Sequence, residues 1–136
     1  NQGYYYTPHI VKKIKGQPLD KKFTTKHYST IDKQYFPPMI QGLADVYNVG
    51  TASTLKVEGL QICGKTGTAE NSHGREHGWF VAYGPFDNPN IAVAVIVENA
   101  GYGATSAVPI GYKILSAAFG LDKPKTPENQ PAPAQQ

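Results

Sequence analysis

The chain of 136 residues has a single cysteine, Cys63, and only 17% charged residues. One cysteine excludes an internal disulfide framework and a cysteine-based zinc site. No apolar run reaches the roughly 18 residues of a membrane span, and the opening Asn1-Gln2-Gly3 does not begin a signal peptide. A hydrophobic content of 40%, with 14 glycines and 11 prolines, instead predicts a globular chain rich in turns.

Positive charge is concentrated in the first quarter of the chain. Residues 1–35 hold seven lysines against Asp20 and Asp32, although the whole chain carries only +3. A basic segment can meet an acidic polymer or a membrane surface. No aromatic platform interleaves with these lysines, so we expect a solvated face and no nucleic-acid partner.

The first half of the chain predicts one clear helix. Residues 4–14 are β-rich but interrupted by Pro8, which favours an edge strand or two short strands. Apolar residues then recur at spacings of three and four between Phe36 and Tyr47, which predicts a helix over 36–48. Pro37 fits its first turn and Gly50 suits its end.

Three strands follow, at 60–69, 79–83 and 91–97, and their connections favour an antiparallel meander. Residues 91–97 are almost continuously apolar, which is typical of a strand covered on both faces. We therefore expect Ile91–Val97 to be the central strand of the sheet.

A second helix is predicted over 105–119, with Thr105 or Ser106 as its cap, Pro109 in its first turn and Gly120 at its end. The residues expected on its buried face are Ala107, Ile110, Ile114 and Ala118. Residues 1–120 are thus the predicted globular part. Residues 121–136 are rich in proline and glutamine without periodicity and predict a disordered tail.

The sequence Lys65-Thr66-Gly67-Thr68 carries a cation, two hydroxyls and a glycine on one strand. The hydroxyls can donate to a carboxylate, the lysine supplies positive potential, and the glycine lets a ligand approach the backbone. A free N–H beside the glycine can stabilise an oxyanion. Alternation puts Thr66 and Thr68 on one face and Lys65 and Gly67 on the other. An extended anionic peptide could therefore meet both sets only at an exposed strand edge, and otherwise these residues are a polar strand end.

The interpretation of Lys65–Thr68 becomes more specific when other stretches are considered with it. These are Gly-Thr-Ala at 50–52, Gly-Lys-Thr-Gly-Thr-Ala-Glu at 64–70, Trp-Phe-Val-Ala-Tyr-Gly-Pro at 79–85, and the tyrosine-rich start after Gly3. Together they resemble the C-terminal part of the transpeptidase domain of class B penicillin-binding proteins, within them the elongation-type penicillin-binding protein 2 kind. The resemblance covers roughly residues 1–120. Lys-Thr-Gly is one of three motifs which that family shares with serine β-lactamases.

The resemblance implies an α/β fold of the α+β type, with helices packed on an antiparallel sheet. It implies peptidoglycan cross-linking, in which a serine attacks a D-Ala-D-Ala stem peptide, releases D-alanine and passes the acyl group to an amine. β-Lactam antibiotics trap that serine. The family works on the periplasmic side of the bacterial inner membrane, and its anchor is expected upstream of residue 1.

The resemblance also implies roles for individual residues. Lys65 would hold the electrostatics of the site, and the hydroxyls of Thr66 and Thr68 would bind the carboxylate of substrate or drug. The Thr68 backbone N–H would be one oxyanion donor, and Gly67 would permit close approach. No cofactor is predicted.

The family's nucleophile motif, Ser-x-x-Lys, and its Ser-x-Asn motif both precede Lys-Thr-Gly. Ser-x-Asn is absent from this chain, and the literal match Ser53-Thr54-Leu55-Lys56 lies just before the predicted strand. Activating a serine requires a lysine desolvated against it, so we expect Ser53 not to be a nucleophile. The chain is then the C-terminal portion of such a domain, inactive without the upstream half that carries the serine.

Two other candidates have simpler interpretations. His73-Gly74-Arg75-Glu76-His77 matches a zinc pattern, but that spacing needs a helix and the flanking glycines favour a loop, so no metal site is predicted. Cys63 is expected to be a small core residue.

Two alternative functions are consistent with the residues. One is a non-catalytic module that binds peptidoglycan peptides and keeps the edge strand without the chemistry. The other is a fragment of a serine β-lactamase, which shares the Lys-Thr-Gly element.

Overall fold

The computed structural model describes residues 1–122. The chain divides into two compact units, Asn1–Gly42 and Leu43–Gln136. The predicted tail at 121–136 lies outside the described residues except for Leu121 and Asp122, which form a turn.

The first unit is built on a short antiparallel pair, β1 (Tyr4–Tyr5) and β2 (His27–Tyr28). Cross-strand rings hold it, with centroids 5.3 Å apart for Tyr5 and His27 and 6.5 Å apart for Tyr4 and Tyr28. The β-rich segment 4–14 thus supplies only two strand residues, since β2 offers a partner of that length and Pro8 has no N–H to extend the ladder. A 3-10 helix at Lys21–Phe23 lies between the two strands, and a second one, Lys33–Tyr35, follows β2.

Helix α1 spans Phe36–Asn48 and confirms the predicted helix. It begins in the first unit and ends in the second. Ala44 and Tyr47 are its buried residues. The N–H groups of Val49 and Gly50 both donate to the carbonyl of Asp45, at 2.9 and 2.8 Å, and close its last turn.

The second unit contains the predicted meander. Strands β3 (Cys63–Ala69), β4 (His77–Gly84) and β5 (Ile91–Val97) form an antiparallel sheet in the order β3-β4-β5. The first strand starts at Cys63, three residues later than expected. The helices and antiparallel sheet match the predicted fold class.

The expectation that β5 is central was wrong, because β4 lies between β3 and β5. A continuously apolar run reports that both faces of a strand are apolar, not that the strand has neighbours on both sides. In β5 only Val95 is buried. Ala92, Ala94 and Ile96 occupy alternate positions of the strand and lie together on its exposed face.

The other face of the sheet carries the core. Helix α2 (Gly103–Ser106) and helix α3 (Val108–Ala118) pack on it. The buried cluster includes Phe80, Ala82 and Val95 of the sheet with Val108, Tyr112 and Leu115 of α3. Gly111 faces Phe80 so closely that a methyl group there would overlap the ring.

The predicted cap and buried face of the last helix were also wrong. The cap position of α3 is Ala107, and the helix buries Val108, Gly111, Tyr112 and Leu115. Ala107 is buried as expected, but Ile110 and Ile114 are 43% and 47% exposed. The buried face of α3 therefore differs from the predicted one. Gly111 lets the helix approach Phe80 closely, and the hydroxyl of Tyr112 finds a hydrogen-bond partner inside the protein, the carbonyl of Ala52. Pro109 does lie in the first turn, and Gly120 follows the helix with φ +70°.

Candidate functional site

Strand β3 forms one edge of the three-stranded sheet and pairs only with β4 there. An edge strand leaves alternate N–H and C=O groups without a partner in the ladder. The predicted site residues Lys65, Thr66, Gly67 and Thr68 all lie within this strand. The structure therefore brings them together on an open backbone edge, as the sequence interpretation required.

The Lys65 side chain is exposed, and its amine donates a 2.6 Å hydrogen bond to the carbonyl of Thr66. It also lines a shallow cavity of about 400 Å³ with Val81, Tyr83, Ala92 and Ala94. The ammonium group is thus held close to the strand edge, at the rim of an apolar surface.

Thr66 is held by a residue outside the motif. Its hydroxyl lies 3.0 Å from the hydroxyl of Thr51, in the connection after α1. Each hydroxyl has one donor and two acceptor positions, so this contact leaves capacity for a further partner. Thr51 was not assigned a role from sequence, although its Gly-Thr-Ala surroundings contributed to the resemblance.

Gly67 and Thr68 complete the edge. A methyl group at Gly67 would lie 3.2 Å from Cβ of Trp79, tighter than an ordinary contact. Thr68 is exposed and pairs with Gly78 of β4. Neither residue has a large side chain that could cover the strand edge.

Helix α2 supports β3 and β4 through glycines. A methyl group at Gly103 would overlap the carbonyl oxygens of Gly67 and Trp79, and one at Gly78 would overlap the hydroxyl of Ser106. The start of α2 therefore lies directly against the strand backbone at Gly67. Neither glycine was assigned a packing role from sequence.

The face of the sheet that carries Lys65 is uncovered over much of its area. We call it the open face; it consists of Lys65, Trp79, Val81, Tyr83, Ala92, Ala94 and Ile96, which share one side by the strand register. Trp79, Val81 and Ile96 are 39%, 45% and 46% exposed. Apolar residues grouped in this way are typical of a surface with a binding partner.

At the inner end of β3, burial sets the chemistry of two groups. Desolvation raises the pKa of the Cys63 thiol, and a hydrogen bond from Tyr83 opposes that rise only in part. Desolvation and contact with Cys63 raise the pKa of Tyr83 to about 12. Cys63 is a buried, protonated thiol, which confirms its interpretation as a packing residue.

Ser53 and Lys56 have different partners. The Ser53 hydroxyl donates to the carbonyl of Gly50 at 2.8 Å, whereas the Lys56 amine approaches Asn48 Oδ1 at 3.5 Å. A lysine that activates a serine must contact it. The geometry therefore agrees with the expectation that Ser53 is not a nucleophile.

The two histidines of the zinc-like pattern lie on different elements, His73 in the β3–β4 connection and His77 at the start of β4. Within residues 1–122 no group of three or more His, Cys, Asp or Glu side chains is arranged to hold a metal ion. His77 Nδ1 instead accepts a hydrogen bond from the N–H of Asn99 at 2.9 Å.

Comparison with known proteins relates this fold and strand to one family. The sequence model of the penicillin binding protein transpeptidase domain matches residues 1–116. The chain therefore belongs to the penicillin-binding protein transpeptidase family, and its fold is part of that domain.

Similar curated proteins include peptidoglycan D,D-transpeptidases. MrdA of Haemophilus influenzae is 29% identical over 100% of this chain and 24% of its own length, and PbpA of Mycobacterium tuberculosis is 32% identical over 88% and 26%. The chain thus spans about a quarter of the length of the curated relatives it matches.

Solved structures give the same relationship. PBP2 of Pseudomonas aeruginosa, in complex with WCK 5153, superposes with a TM-score of 0.72 and 34% identity, over 87% of this chain and 27% of that one. The imipenem acyl-enzyme of penicillin-binding protein A from M. tuberculosis gives a TM-score of 0.58 and 32% identity, over 70% and 21%. Within residues 1–122, no helix combines the length and hydrophobicity needed to cross a membrane.

Proposed function

We propose that this chain supplies the substrate-binding edge strand of a peptidoglycan D,D-transpeptidase, which cross-links D-Ala-D-Ala stem peptides on the periplasmic side of the bacterial inner membrane. The observation that carries the proposal is the position of Lys65, Thr66, Gly67 and Thr68 on the open edge of β3. An extended peptide can lie along such an edge as an added strand. The same edge would bind β-lactams, because penicillin-binding protein A of M. tuberculosis, a similar structure, forms an acyl-enzyme with imipenem.

The carboxylate end of the ligand would be bound by Thr66 and Thr68. The hydroxyl–hydroxyl contact of Thr66 with Thr51 supports this role, because Thr51 fixes the Thr66 rotamer while leaving hydrogen-bonding capacity for a carboxylate. Lys65 contributes positive potential beside the same edge. Gly67 leaves the backbone open to a close ligand.

The Thr68 N–H would be one oxyanion donor. Lys65 reaches the carbonyl of Thr66, which is consistent with that carbonyl lying on the open edge. Backbone groups of residues i and i+2 point to the same side of a strand. The N–H of Thr68 would then face the ligand at the same edge, where developing negative charge on an acyl oxygen needs a donor.

The nucleophilic serine would lie on polypeptide beyond these residues. Two observations support this: Ser53 and Lys56 have separate partners, and relatives are about four times longer than the matched region. The upstream half of the domain would pack on the open face and bring its serine to Lys65. Such packing would remove the apolar side chains of that face from water.

Labelling with a fluorescent penicillin tests the proposal. In the full-length protein, Lys65→Ala should lower the acylation rate at least about 100-fold, since it removes a charge at the reacting centre. Lys113→Ala, an exposed change on α3, is the matched control and should leave the rate unchanged. Equal labelling of Lys65→Ala and the unmutated protein would refute the role of Lys65.

The chain of 136 residues alone should acquire no covalent penicillin in intact-mass spectra. A covalent adduct on Ser53 would overturn the assignment of the serine to another region. Titration calorimetry of this chain with a D-Ala-D-Ala peptide tests a second possible function, that of a non-catalytic module. Carboxylate-dependent binding, with a full-length protein that never becomes acylated, would favour a non-catalytic peptide-binding module.

A further inference from the structure

Three side chains join the β3–β4 connection to the β5–α2 connection, and we call Asn71, His77 and Asn99 the clasp. Asn71 Nδ2 donates to Asn99 Oδ1 at 2.6 Å, and Asn71 Oδ1 accepts from the N–H of His73 at 3.0 Å. The N–H of Asn99 donates to His77 Nδ1 at 2.9 Å. The clasp therefore connects both ends of the β3–β4 connection to one residue, Asn99.

The backbone around the clasp is shaped to fit it. Asn99 adopts φ +54° and Gly101 φ +77°, a left-handed conformation that is unfavourable for residues other than glycine. The N–H of Gly101 donates to the carbonyl of Glu76 at 2.8 Å. A methyl group at Gly74 would lie 2.8 Å from Asn99 Oδ1. Such a conformation persists where surrounding contacts hold it, and here the contacts are those of the clasp.

The clasp lies next to the ligand-binding part of β3. His77 pairs with Ala69, and the neighbouring pair is Thr68 with Gly78. Four residues after Asn99, Gly103 lies against the carbonyl of Gly67. The two segments that the clasp joins thus lie on either side of Gly67 and Thr68, one continuing β3 and the other supporting it.

We propose that the clasp positions Thr68 for the acyl-transfer reaction. It fixes the end of β3, so that the N–H and the hydroxyl of Thr68 are held in the correct position relative to the reacting carbonyl of the substrate. This inference rests on the proposed function. Asn71, His77 and Asn99 are positioning residues, since they act through Thr68 and not on the substrate. A displacement of about 1 Å at a reacting centre can cost about 100-fold in rate.

Aspartate substitutions test the Asn71–Asn99 contact without truncating either side chain. In Asn71→Asp or Asn99→Asp, the remaining amide still donates to a carboxylate, so each single variant should be acylated by fluorescent penicillin within about twofold of the unmutated full-length protein. In the double variant two carboxylates face each other without a donor. Its acylation rate should fall about 10- to 100-fold.

The control is the double variant Asn88→Asp/Asn90→Asp, which makes the same charge change in the exposed turn between β4 and β5. It should label at the normal rate. If instead both single clasp variants lose rate and the double variant loses their product, charge alone explains the effect and the proposal is wrong.

Asn99→Gly distinguishes loss of the clasp from loss of folding. Glycine adopts the left-handed backbone freely, so this variant loses only the side-chain amide. Its acylation rate should fall while its thermal midpoint stays near normal. A rate that falls only in proportion to the folded fraction would mean that the clasp merely stabilises the fold. If Lys65→Ala abolishes acylation but the double aspartate variant and Asn99→Gly both label normally, only the clasp proposal fails. If the unmutated protein takes no label, both proposals fail.

Discussion

The hydroxyl of Tyr112 in α3 donates a 2.6 Å hydrogen bond to the carbonyl of Ala52, 60 residues earlier in the chain. Both residues are buried. Ala52 follows Thr51, whose hydroxyl contacts Thr66. The core helix therefore fixes the connection that holds the first threonine of the candidate site.

Tyr112→Phe should destabilise the chain by about 1–3 kcal/mol, because the buried carbonyl of Ala52 loses its donor. Urea unfolding followed by circular dichroism measures the change. Tyr102→Phe removes a hydroxyl from an exposed tyrosine and should stay within about 0.5 kcal/mol. Equal midpoints for the Tyr112 variant and the unmutated chain would show that the bond contributes nothing.

Gly111→Ala should destabilise by about 1–3 kcal/mol or more, since the added methyl group overlaps the ring of Phe80. Gly42→Ala is the matched control in α1, where a methyl group meets no atom within 4 Å. Because alanine favours helix over glycine, that change should stabilise by about 0.5–1 kcal/mol. Effects of the same sign in the two variants would contradict the close packing of α3 on β4.

The stability of the chain should fall in alkaline solution, and Tyr83 contributes to that fall. Its pKa is raised from 10.0 to about 12 by desolvation and by Cys63. Between those values the unfolded chain loses a proton that the folded chain keeps, so the contribution of Tyr83 to stability is complete below pH 10 and decreases as pH rises towards 12.

Tyr83→Phe should therefore show a smaller loss of stability than the unmutated chain over the same pH range. Cys63, Tyr112 and Tyr47, whose pKa values are also raised by burial, leave a residual loss in both proteins. Unfolding in urea at several alkaline pH values measures the slopes. Parallel curves for the two proteins would exclude a contribution from Tyr83.

The open face should cause the chain of 136 residues to self-associate when nothing covers it. Val81→Lys places a charge at the middle of that face and should shift sedimentation velocity profiles towards the monomer. Ile114→Lys is the control, since Ile114 is equally exposed but lies on α3, away from the open face. If both variants sediment like the unmutated chain, the open face does not drive association.

The elements with a local signal were predicted well. Apolar spacing and the proline at position 37 sufficed for α1, and the meander followed from three β-rich runs with short connections. The motif selected Lys65, Thr66, Gly67 and Thr68 as candidate site residues, whose role stays a prediction, and the predicted position of their strand at the edge of the sheet is confirmed. Residue types at fixed spacing carry this information because the helix period of 3.6 and the strand period of 2 are properties of the local backbone.

Contacts between distant residues were not predictable in the same way. The buried face of α3 depends on how closely Gly111 approaches Phe80. A search for apolar periodicity gives glycine and tyrosine little weight, so it missed Gly111 and Tyr112 as buried residues. The contacts of Thr51 with Thr66 and of Asn71 with Asn99 join residues 15 and 28 positions apart. No periodicity links such pairs.

The sequence by itself determined the family, the meander and the strand that bears the candidate site, since these depend on local pattern and on motif. The tertiary structure decided which strand is central, which side of α3 faces inward and which side chains support β3. Those features depend on steric fit between elements distant in sequence, where a single methyl group or hydroxyl decides whether two surfaces can meet.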